Sequence, residues 1–113
     1  MFAHIQETGS VFGMIGFLVL ALIVGPVMEE VIFRGYLQSA LAGRMPAWGA
    51  ITITSLLFMA GHGPTILWPM YFISVAWGWI FMHTRCLQMS IAIHMLSNIF
   101  YTVVAVMGWK ILA

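Results

Sequence analysis

Val11-Phe-Gly-Met-Ile-Gly-Phe-Leu-Val-Leu-Ala-Leu-Ile-Val24 is an unbroken apolar run, and two residues beyond it stands Pro26-Val-Met-Glu29-Glu30-Val-Ile-Phe-Arg34-Gly35. The second stretch holds two carboxylates and a guanidinium in a chain with only four Lys or Arg and three Asp or Glu side chains in all. An ionised side chain in hydrocarbon costs roughly 2.5–3.5 kcal/mol or more. A cluster of three at the end of a membrane-grade run therefore needs a reason, and the default reason is chemistry.

Working outward, the 113 residues are 63% hydrophobic and 6% charged. Soluble domains carry about 25% charged residues, so this composition reads as an integral membrane protein. Lipid leaves backbone groups without water, and the apolar segments run unbroken rather than alternating, so the spanning parts are helices. A span takes about 20 apolar residues. The expected fold is all-α, an integral membrane bundle of about four to five helices in one domain, 1–113, lying in membrane lipid. No basic run serves nucleic acid, and that class is excluded. Cys86 is the only cysteine, so neither an intrachain disulfide nor a CxxC metal site can form. The first run lacks a basic flank on its N-terminal side and is expected to be a retained span rather than a removed signal peptide.

Pro26, Pro46, Pro64 and Pro69 interrupt the apolar pattern, as residues that end or bend helices do. They divide the chain into helices expected at 11–24, 28–41, 48–60, 67–83 and 89–109. Trp48, Trp68 and Trp109 near the ends fit an interfacial belt, whereas Trp77 and Trp79 in mid-segment read as packing residues. Gly9 with Gly13, and Ser74 with Gly78, are small pairs at a spacing that lets helices approach closely. His4, His83 and Glu7 read as interfacial bystanders. With every helix crossing, Arg44 and Arg85 share one face of the membrane.

On a helix, residues four apart point the same way. Arg34 thus faces Glu30 as its ion-pair partner and lies roughly 140° round from Glu29, which leaves Glu29 free as a general base. Phe58 and His62 repeat the spacing in Phe58-Met-Ala-Gly-His62, and His94 and Asn98 repeat it in His94-Met-Leu-Ser-Asn98. Taken singly, a buried membrane histidine is commonly a packing residue and a Glu–Arg pair a structural brace. Their ordered combination on three apolar helices is what points to a site.

Over about residues 20–105 the chain resembles the CAAX-protease and bacteriocin-processing family of intramembrane proteases, which includes type II CAAX prenyl endopeptidases. The resemblance rests on Glu29-Glu30-Val-Ile-Phe-Arg34, the Phe58–His62 and His94–Asn98 pairs, and Phe33-Arg34-Gly35-Tyr36-Leu37. It implies that Glu29 activates water against a peptide carbonyl and that His62 orients that water. His94 and Asn98 then face the developing oxyanion, while Glu30 and Arg34 fix the helix that carries the base. It also implies a peptide or membrane-protein substrate and a bacterial inner membrane as the location.

Two histidines and a glutamate are also a zinc ligand set with water in the fourth position, so a divalent metal such as zinc stays open as a cofactor, although HExxH is lacking. Other protease chemistries find no footing: the chain contains no aspartate, no GxSxG surrounds a serine, and Cys86 has only His83 nearby. Family members have more helices before the first motif, so a homo-oligomer or a larger membrane complex is an expected partner. Two non-enzymatic alternatives stand beside hydrolysis: a small subunit or assembly factor of such a complex, and a bacteriocin immunity protein.

Overall fold

A computed structural model describes residues 11–63 and 67–112, with side chains for 11–63 and 68–108. Every regular element among these residues is helical, and there are four helices: α1, Val11–Ala42; α2, Ala47–Gly61; α3, Leu67–Thr84; and α4, Leu87–Leu112. The boundaries of the last three agree with the sequence expectation to within about three residues. His4, Glu7, Gly9, Pro64 and the side chains of Trp109 and Lys110 lie outside the described residues.

The first two expected helices are instead one. Pro26 does not end α1, because the preceding turn, Leu20–Val24, widens to π spacing and Gly25 N–H reaches back to the Leu20 carbonyl. Widening makes room for a ring that would otherwise collide with the carbonyl four residues back. Gly25 suits this turn, since a Cβ there would meet the Leu20 oxygen at 3.0 Å. An α turn, Gly25–Glu30, follows and carries both carboxylates, and a second π segment, Val31–Gln38, completes the helix before Ser39–Ala42.

The π segments explain which face of α1 turns inward. Pro26, Glu30, Arg34 and Gln38, spaced by four, are all buried. At 100° per residue, twelve residues of straight α-helix would rotate the last about 120° away from the first. Underwinding removes that drift and keeps the four on one stripe.

Against this stripe α3 runs in the same direction, Arg34 bonding Ser74 and Gln38 bonding Gly78, each forty residues on. The Ser74–Gly78 pair does permit close approach: a Cβ at Gly78 would stand 2.7 Å from Gln38 Oε1. α4 runs antiparallel, its Ser90 and His94 at Glu30 and its Asn98 at Ala21. With four alternating helices, the connections bearing Arg44 and Arg85 still lie at one end.

The bundle is inside-out relative to a soluble domain. Among the described residues the buried hydrophobic side chains are Ala50, Ile51, Phe58 and Trp77, whereas Glu30, Arg34, Gln38, Thr54, Ser55, Ser74, Ser90 and His94 are buried and polar. The exterior is lined with Phe, Leu, Ile, Val, Met and Trp, and Val11–Val19 buries nothing. Among the described residues two helices, Val11–Ala42 and Leu87–Gly108, are long and apolar enough to cross a membrane. Trp48 and Trp68 are exposed near helix ends as expected, and Trp77 is buried. Trp79 departs from the expectation: it is exposed and lies against the His83 ring at 3.9 Å.

Candidate active site

Glu30 is fully buried and its carboxylate is filled by three donors, one from its own helix and two from α4. Oε1 accepts from Arg34 Nη1 at 3.2 Å and from His94 Nδ1 at 2.7 Å, and Oε2 accepts from Ser90 Oγ at 2.6 Å. Arg34 goes on to donate through Nη2 to the Ser74 carbonyl at 2.6 Å and to the Ser74 hydroxyl. Its guanidinium lies 5.2 Å from the Phe58 ring centroid and 5.6 Å from that of Trp77, within reach of favourable cation–π contact in a desolvated setting. The ion pair expected from the four-residue spacing is present, and it is also the brace that holds His94.

His94 is locked in orientation. Its ring stacks on Trp77 with centroids 4.0 Å apart, Phe58 meets it edge-on, and Nδ1 is committed to Glu30. A carboxylate already paired with an arginine accepts, so Nδ1 carries the hydrogen and Nε2 is the free face of the ring. His62, at the end of α2, is fixed in the same sense: its Nδ1 donates to the Phe58 carbonyl at 2.7 Å, a group that can only accept.

Both Nε2 atoms point at Glu29. His94 Nε2 lies 3.3 Å from Oε2 and His62 Nε2 lies 3.7 Å from Oε1. Glu29 is 35% exposed and His62 31%, while His94 is 3% exposed. The carboxylate thus sits at the mouth of the cluster, with one imidazole beside it at the surface and one behind it in the core. Both ring nitrogens lie just beyond ideal hydrogen-bond distance of the Glu29 oxygens and within ion-pair reach of them.

The zinc alternative needs donors converging at about 2.0–2.2 Å on one point. Among the described residues no group of three or more His, Cys, Asp or Glu side chains is arranged to hold a metal ion.

Of the six residues expected at the site, Glu29, Glu30, Arg34, His62 and His94 form one connected cluster. Asn98 joins through backbone instead, Nδ2 donating to the Ala21 carbonyl at 3.2 Å. Sequence reasoning missed Ser90, Ser74 in its bonding role, Gln38 and Trp77. Ser90 was within reach, for it stands four residues before His94 and so on the same face. Gln38 continues the stripe four residues past Arg34. Trp77 and Trp79 were both read as packing residues, and nothing in the sequence singled out Trp77 as the ring that stacks on His94.

With this geometry established, comparison with known proteins identifies the lineage. The family model for type II CAAX prenyl endopeptidase Rce1-like proteins matches residues 11–100. The chain belongs to that family. It is also 35% identical over 94 residues to the membrane-embedded CAAX protease MroQ of Staphylococcus aureus (strain USA300), an alignment covering 77% of this chain and 38% of that protein. The chain thus spans about two-fifths of the length of the curated relative it matches. No solved structure matches it. Membership in the Rce1-like family agrees with the apolar exterior and with the two long apolar helices among the described residues, and the chain is an integral membrane protein of that family.

Proposed function

We infer that this chain hydrolyses peptide bonds within a bacterial cytoplasmic membrane, with Glu29 as general base. The observation that carries the reading is the convergence of His62 Nε2 and His94 Nε2 on the two oxygens of one half-exposed carboxylate. In the proposed reaction a water held among the three gives its proton to Glu29 while its oxygen bonds to the carbonyl carbon. The carbonyl oxygen becomes the oxyanion, and the proton taken up by the cluster passes to the departing amine as the C–N bond breaks. Ring nitrogens held by Glu30 and by the Phe58 carbonyl need little reorganisation during these transfers, which is where a preorganised, water-poor site gains its rate. Positioned acid–base catalysis of this kind contributes roughly 10²–10⁴-fold.

The substrate class follows from location: a peptide or membrane-protein segment that reaches the Glu29 carboxylate through lipid, with or without a prenyl chain. The unburied stretch Val11–Val19 supports a second reading, in which the chain acts within a homo-oligomer or a larger membrane complex.

The test uses purified chain in lipid vesicles with a farnesylated C-terminal peptide and its unprenylated counterpart, with and without a chelator. Hydrolysis by the wild-type chain, lost by roughly 10²–10⁴-fold in Glu29→Gln with folding intact, is the expected result. Equal rates in the two chains would remove Glu29 from the base role. Loss with chelator alone would replace the metal-free route.

A further inference from the structure

Asn98 was expected to face the oxyanion, yet its amide is turned to the backbone of α1, and the reason lies in the hydrogen bonds of that helix. Gly25 N–H, the α-helical partner of the Ala21 carbonyl, is spent on Leu20 across the π turn. The next donor along, at residue 26, does not exist because that residue is proline. Ala21 therefore has no donor on its own helix at either α or π spacing. In a lipid-facing bundle an unmet carbonyl is costly and water is not at hand to meet it. Asn98 Nδ2 meets it, at 3.2 Å.

The consequence reaches the site. His94 and Asn98 share a face of α4, and the groups they hold, Glu29 with Glu30 on one side and the Ala21 carbonyl on the other, lie about two turns apart on α1. Two antiparallel helices pinned at two levels are fixed in both axial register and rotation, whereas one pin leaves rotation free. We propose that Asn98 is a positioning residue that closes the hydrogen bond left open by Pro26 and thereby sets the placement of Glu29 against His94. For its kinetic effect this rests on the hydrolytic reading above, but the hydrogen bond itself does not.

Four purified chains in vesicles test it: wild type, Asn98→Ala, Pro26→Ala and the double variant, assayed on the farnesylated peptide. Asn98→Ala lowers kcat by about tenfold or more, with KM unchanged within roughly twofold, as misplacement of a reacting group does. In the Pro26→Ala background the same change costs less than about threefold, because residue 26 now supplies an N–H five residues beyond Ala21. That non-additivity is the signature of a shared acceptor. An equal loss in both backgrounds overturns the proposal and returns Asn98 to direct contact with substrate. Should none of the four chains hydrolyse peptide, the hydrolytic reading fails, and the bond is read separately from the infrared stretch of an isotope-labelled Ala21 carbonyl. The band moves to higher wavenumber in Asn98→Ala; an unmoved band overturns the proposal, whether or not Pro26→Ala folds.

Discussion

Glu30 and Glu29 are neighbours in sequence with opposite surroundings, and the difference assigns their work. Glu30 has three donors and no exposure, so its charge is spent on holding Arg34, Ser90 and His94. Glu29 faces two ring nitrogens and remains half open. The Glu30 network can be tested without assaying catalysis. Ser90→Ala leaves Oε2 of a buried carboxylate without its only donor, and hydrogen bonds to charged groups contribute about 1.5–3 kcal/mol. Thermal unfolding in micelles should show a loss of that order for Ser90→Ala and most of it restored in Ser90→Thr, which keeps the hydroxyl. An unchanged midpoint in Ser90→Ala would mean that Ser90 does not support Glu30.

At the scale of elements, α2, α3 and α4 were legible because each apolar run is bounded by prolines, glycines or a charged connection. Pro46 caps α2 and Pro69 falls in the first turn of α3, both places where a missing N–H is harmless. Pro26 carries the same sequence signal and ends nothing. The widened turn at Gly25 and the distant Asn98 amide together absorb its cost, and neither can be read from local pattern. The four-residue spacings fared better, since pairing of i with i+4 survives in both α and slightly underwound helix: Glu30–Arg34 and Phe58–His62 are in contact as expected. What spacing could not reveal was which neighbouring helix each pair meets. The α1–α3 contact gives a direct test. In Gly78→Ala the added Cβ falls 2.7 Å from Gln38 Oε1 and 3.2 Å from Ile51 Cγ2, and the buried Gln38 is held by its bond to the Gly78 carbonyl. Overpacking of this sort costs about 1–3 kcal/mol. Unfolding measurements should find that loss in Gly78→Ala and part of it recovered when Gln38→Ala makes room. No loss would mean that α1 and α3 are not in close contact.

Over the whole molecule, polarity is sorted inward and apolar side chains outward, so the lipid rather than the core receives most of the large hydrophobic residues. Leu96 is exposed on α4 within two residues of both His94 and Asn98. A charge there meets hydrocarbon, at about 2.5–3.5 kcal/mol in insertion experiments. Leu96→Arg should therefore sharply lower the fraction of chain recovered in the membrane, whereas normal recovery would place that face against water or protein. The same sorting explains why the site needs a charged centre held by neighbours: Glu30 and Arg34 are tolerated because every helix packed on them supplies a partner.

The meeting of Glu29, His62 and His94 from three helices is the claim on which the account turns, and the ¹⁵N imidazole spectra of the chain in lipid bilayers test it most directly. Both rings should carry hydrogen at Nδ1, and both Nε2 resonances should move on Glu29→Gln. Nε2-protonated neutral tautomers, or Nε2 resonances indifferent to Glu29→Gln, would contradict it.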